Sequence, residues 1–132
     1  MRRVPVLPIV LAACLVSSIA LAASNRVNAT FESLSASGIQ GSADLNSVAS
    51  GTLIHESLRG LVPGVEYVSF IYQQDKTCAS GVPTTQVMTF TANPAGIATF
   101  NTKVDFELSQ IGSISVQRVS DNALLACASV TE

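Results

Sequence analysis

The sequence predicts one all-β domain, an antiparallel Greek-key barrel or sandwich of about eight strands with short loops. Three observations predict it. Past residue 23, no long segment repeats apolar residues at helical spacing. Short runs rich in Val, Ile, Thr, Phe and Tyr stand in place of helices. Gly, Pro, Asn and Ser separate those runs, at intervals of roughly 8–12 residues.

Each strand follows from its own residues. Arg26–Ser35 alternates Val27, Ala29 and Phe31 on one face. Gly38–Leu45 follows the turn signal Ser37-Gly38, and Gly51–Leu61 follows Ser50-Gly51. Pro63-Gly64 introduces Glu66–Gln74. Ser80-Gly81 marks the loop before Gln86–Ala92. Asn93-Pro94 with Gly96 turns the chain into Gly96–Lys103, where Ile97 and Thr99 face away from Ala98 and Phe100. Gly112–Val119 and Leu124–Val130 complete the set, separated by Asp121-Asn122.

Ahead of the strands lies an expected export signal, residues 1–22, leaving 23–132 as the domain. Met1, Arg2 and Arg3 form its positive start, Val4 to Leu21 its apolar stretch, and Ala20-Leu21-Ala22 its small-x-small end. An uncleaved anchor would suit the same length, but Pro5, Pro8 and the A-x-A ending favour cleavage, so no membrane span is expected in the mature chain. Leu11-Ala12-Ala13-Cys14 also has the form of a lipobox, which makes lipid anchoring through Cys14 the alternative. The expected location is therefore periplasmic or extracellular.

Composition excludes several functions. Arg2 and Arg3 are two of seven basic residues, so the mature part keeps five against nine acidic ones, a formal charge of −4. A basic footprint for nucleic acid is absent. One histidine and, after the leader, two cysteines exclude a multi-histidine metal site and an all-cysteine zinc site. Cys78 and Cys127, an even pair in an oxidising compartment, read most simply as one disulfide. A redox-active pair would favour close spacing such as C-x-x-C.

Several stretches, in order, resemble the copper/zinc superoxide dismutases. Gly38-Ile39-Gln40-Gly41-Ser42-Ala43 is similar to that family's early "V-x-G-x-x" strand. Gly51-Thr52-Leu53-Ile54 through Leu61-Val62-Pro63-Gly64 resembles its "G-x-V-x-I-x-G-L-x-P-G" run. Thr91-Ala92-Asn93-Pro94-Ala95-Gly96-Ile97-Ala98 is similar to "T-A-D-x-x-G-V-A", and Ile111-Gly112-Ser113-Ile114-Ser115-Val116 to "I-G-R-x-x-V-V-H". Leu125-Ala126-Cys127-Ala128-Ser129-Val130 resembles the "L-A-C-G-V-I" ending that carries the partner cysteine. The resemblance covers nearly all of 23–132 and implies a Greek-key barrel.

The metal ligands of that family do not carry over. Its H-x-H pair, aligned from Pro63-Gly64, falls on Ser69 and Ile71. Its later histidine falls on Arg118, and the arginine that guides superoxide falls on Leu124. The zinc loop has shrunk to Ala79–Gln86 and the electrostatic loop to Ser120–Ala123. Copper cycling needs several imidazole nitrogens in fixed geometry. The resemblance therefore implies a dismutase scaffold without catalysis, cofactor or metal, acting as a binding or structural module, with a residual copper- or zinc-binding protein as the outside reading.

The remaining polar residues read as surface. His55 lies on the strand Gly51–Leu61 without identifiable catalytic partners. Glu56 with Glu66, or Asp105 with Glu107, would form carboxylate pairs, but charges alternating with Val104, Phe106 and Leu108 read as the wet face of an extended segment. Asp75-Lys76 reads as solvated loop, and Asn28-Ala29-Thr30 is a glycosylation sequon by pattern. Neither G-x-S-x-G nor S-x-x-K occurs. Leu61-Val62-Pro63-Gly64-Val65-Glu66-Tyr67 also resembles the tyrosine corner of fibronectin type III modules, although some 65 residues follow it here. That rival implies an adhesion or carbohydrate-binding sandwich, for which exposed aromatics on one face would be the sign. The expected partner is an unidentified protein or carbohydrate.

Overall fold

Alternating side chains build the first strand, β1 (Arg26–Ser33), whose Val27, Ala29 and Phe31 are buried while their neighbours are exposed. The computed structural model describes Pro5 and residues 25–131. The expected leader with Cys14, apart from Pro5, lies outside the described residues. Seven further strands follow: β2 (Gln40–Val48), β3 (Gly51–Arg59), β4 (Glu66–Gln73), β5 (Thr84–Thr91), β6 (Ala98–Val104), β7 (Ile111–Arg118) and β8 (Leu124–Ser129). All-β architecture and the number of strands are as the sequence predicts. Among the described residues, no helix is long and apolar enough to cross a membrane.

The strands form one antiparallel sheet in the order β5-β4-β7-β8-β1-β2-β3-β6. Its two end strands, β5 and β6, meet through side chains: the Phe90 and Phe100 rings stand 4.8 Å apart. The sheet is thus a nearly closed barrel. β1–β2, β2–β3, β4–β5 and β7–β8 pair as hairpins, whereas β1–β8, β3–β6 and β4–β7 are paired by chain returning from a distance. Inside, Leu45, Ile54, Leu58, Ile71, Ile114 and Val116 are almost fully buried, each contributing about 1.5–3 kcal/mol of hydrophobic stabilisation.

Boundaries differ from the sequence reading where local patterning is weak. β2 runs on to Val48, which pairs with Gly51 across the turn Ala49-Ser50. β6 ends at Val104, so the segment through Asp105 and Glu107 is not extended as expected. It bends into a 3-10 turn, Leu108–Gln110, because Leu108 turns inward and Glu107 forms a reciprocal capping box with Gln110.

Cys78 and Cys127 form a disulfide with Cα atoms 6.1 Å apart. It fastens the loop after β4 over the outer face of β7, so β7 is buried on both faces from Ile111 to Val116. Ser113 Oγ donates to the Asp75 carbonyl at 2.6 Å and accepts the Cys78 N–H at 3.1 Å. Gly112 is required there, since a Cβ would collide with the Asp75 backbone. Asp75 and Lys76 are more than solvated loop. The Asp75 carboxylate accepts the Ala79 and Thr77 N–H groups at 2.8 and 3.2 Å, which holds its pKa below the usual carboxylate value. Lys76 Nζ donates to the Val130 carbonyl at 2.6 Å.

Candidate functional site

Strand β4 carries Ser69 and Ile71, two of the positions where the sequence resemblance would place metal ligands. It pairs with β7 through Ile71↔Ile114, Ser69↔Val116 and Tyr67↔Arg118. Directly opposed residues share a face, so Ser69, Ile71 and Arg118 all belong to the interior side. Ile71 is core, fully buried. Arg118 continues the same face out to the rim, where its guanidinium, 40% exposed, donates to Asp121 at 3.1 Å. Leu124 is separate. It opposes Gln117 and lines an outer cleft with Tyr72, Cys78, Val82 and Thr84, in which Gln117 Nε2 donates to the Tyr72 hydroxyl at 3.0 Å.

Ser69 meets a partner that sequence reasoning put on the wet face. Its Oγ lies 2.8 and 3.0 Å from the two carboxyl oxygens of Glu56, and both residues are fully buried. Burial pushes the Glu56 carboxyl up to about 8, against a small opposing effect of the Ser69 hydrogen bond. Glu56 is therefore a core residue and not part of a wet face. Strict alternation along β3 places it with Thr52, Ile54 and Leu58 on the inward face, and that period was a signal the charge overrode. Glu66 is exposed at the start of β4 and does not meet Glu56. Asp105 lies 4.0 Å from Lys103 in solvent, and Glu107 serves the 3-10 cap, so those two form no working carboxylate pair either.

On the outer surface the register gathers residues that the sequence scatters. Asn28, Asp44, His55 and Asn101 stand directly opposite one another across β1, β2, β3 and β6. Asn28 Nδ2 donates to Asp44 Oδ1 at 2.7 Å, and Arg26 lies 3.5 Å from Asp44 Oδ2. The Asn28 hydrogen bond and then the Arg26 charge lower the Asp44 pKa against partial desolvation. His55 Nδ1 and Asn101 Oδ1 are 2.6 Å apart, the carbonyl oxygen of the amide accepting from the ring nitrogen. Asp44 and Asn101 were missed because only strand register reveals them.

Tyr67 makes the backbone contact its motif implies: its hydroxyl accepts the Val62 N–H at 2.9 Å. The large apolar side chains exposed among the described residues are Leu53, Val62, Ile97 and Val119, all aliphatic. Among the described residues no group of three His, Cys, Asp or Glu side chains could hold a metal ion. Compared with family models and with curated proteins, the sequence matches none.

Proposed function

We propose that the chain is an exported, non-catalytic β-barrel of the copper/zinc superoxide dismutase-like type, acting as a binding or structural module. The strand order supports the type. β7 lies beside β4, the first of the consecutive strands β4, β5 and β6, as the returning fourth strand of a Greek key would, with β5 and β6 meeting through Phe90 and Phe100. The Cys78–Cys127 bond joins the two segments the family resemblance would join.

The observation that carries the non-catalytic reading is the inward orientation of Ser69 and Ile71. Ile71 has no donor atom, and the Arg118 guanidinium has no lone pair to give a cation. A redox copper needs nitrogen ligands that hold both oxidation states, and this face offers a hydroxyl, a hydrocarbon and a positive charge. The test is a superoxide assay on mature protein incubated with copper and zinc. Activity equal to buffer is the expected result, and activity that disappears on chelation contradicts it.

The Tyr67 corner favours a second reading, a fibronectin III- or immunoglobulin-like adhesion or carbohydrate-binding sandwich. Against it, the corner sits on the fourth of eight strands. Saturable binding on a glycan array would favour that second reading.

A further inference from the structure

Where the barrel fails to close lies Glu56, the one buried acid among the described residues. β5 and β6 are the free ends of the hydrogen-bonded order, and beyond the Asn93–Ile97 turn no backbone ladder joins them among the described residues. Side chains close this seam instead. Phe90 of β5 packs on Phe100 of β6 at 4.8 Å, and Tyr67 stacks on Phe90 at 5.9 Å.

Glu56 lies directly behind it. β3 stands one strand in from the β6 edge, β4 one strand in from the β5 edge, and Glu56 of β3 is the register partner of Phe100. The hydrogen bond from Ser69 on β4 to Glu56 therefore spans the seam from inside, tying its two sides together. We propose that the β5–β6 seam is a pH-gated opening of the barrel, held shut by the protonated Glu56–Ser69 tie and released when Glu56 ionises.

The chemistry of the tie gives the direction. A protonated carboxyl donates one hydrogen bond to Ser69 Oγ and accepts one from it, which satisfies both groups. A carboxylate accepts the single Ser69 proton and leaves its other lone pairs bare in a low-dielectric interior. Among the described residues no opposite charge meets it in the packed interior. From β4 the titratable inward neighbour is Tyr67, occupied with Val62. From β7 it is Arg118, at the rim and paired with Asp121. β1, β2 and β6 carry Arg26, Glu32, Asp44 and Lys103 on outward positions, as β3 carries His55 and Arg59, while β5 and β8 carry no charge. Solvation by water is the remaining relief, and the seam is the route that breaks no strand pairing. Thr102 on β6, whose buried Oγ1 has no partner, adds a second polar atom that entering water would satisfy.

The test is backbone hydrogen exchange with mass spectrometry on the mature chain at pH 6 and pH 9, normalised to intrinsic rates. Peptides from 84–91 and 98–104 are expected to lose protection by ~10-fold or more relative to those from 26–33 and 124–129. Glu56→Gln is expected to abolish that selective loss. Uniform loss across all strands, or the same selective loss in Glu56→Gln, overturns the proposal. If the variant does not fold, the wild-type 13C carboxyl titration of Glu56 decides. Its midpoint must coincide with the midpoint of seam exchange, and a mismatch overturns the proposal.

Discussion

Replacing Glu56 by Gln should flatten the dependence of stability on pH. The folded-state carboxyl is raised from 4.5 to about 8, chiefly by burial. The folded chain therefore holds a proton that the unfolded chain releases. Its stabilising protonated form is fully present below pH 4.5, and stability is lost as pH rises toward 8. Each unit in that window costs about 1.4 kcal/mol, so between pH 5 and pH 8 the wild type should lose roughly 3 kcal/mol through this one group. Gln keeps the shape and the hydrogen bond to Ser69 without the titration. Urea unfolding of both proteins at intervals from pH 5 to pH 8 measures the difference in slope, which is independent of any constant offset from the amide. Parallel profiles would refute the reasoning, because they would mean that Glu56 titrates alike in both states. Asp44 and Asp75 act oppositely: their folded values lie below 3.8, so their contribution is lost only as pH falls through those lower values.

Other outcomes follow from packing. Reducing Cys78–Cys127 opens a loop of 49-residue separation, which should cost about 4 kcal/mol and lower the thermal midpoint by roughly 15–20 °C; a shift under ~5 °C contradicts it. Gly112→Ala should cost about 1–3 kcal/mol in denaturant unfolding, since its Cβ meets the Asp75 backbone, and a neutral result would mean that the loop does not lie against β7. Ile71→Ala should cost about 2–5 kcal/mol, whereas Leu53→Ala, at a 44% exposed position, should stay within about 0.5 kcal/mol. Equal costs would contradict the inward orientation of β4.

Much of the fold was legible because strands write themselves locally. Val27, Ala29 and Phe31 alternate with exposed neighbours, and Gly38, Gly64, Gly81 and Asn122 sit at positive φ where the turn signals fell. Pairing was not legible, since β4 meets β7 and β1 meets β8 through contacts distant in sequence. The same distance hid the Asn28–Asp44–His55–Asn101 row, of which single members were noticed but never the alignment. Glu56 is the instructive miss. Its period-two position between Ile54 and Leu58 pointed inward, yet a lone acid in a core is costly enough to argue against that placement. Ser69, singled out in the sequence only through the family resemblance, provides its hydrogen-bond partner.

Metal stoichiometry tests most directly the proposal that the barrel is a non-catalytic, dismutase-like module. Protein comprising residues 23–132, incubated with copper and zinc, desalted and weighed by native mass spectrometry, should carry no stoichiometric metal, because Ser69 and Ile71 face a packed interior and Arg118 is held by Asp121. One copper per chain, retained through desalting and accompanied by chelator-sensitive superoxide activity, would contradict that reading.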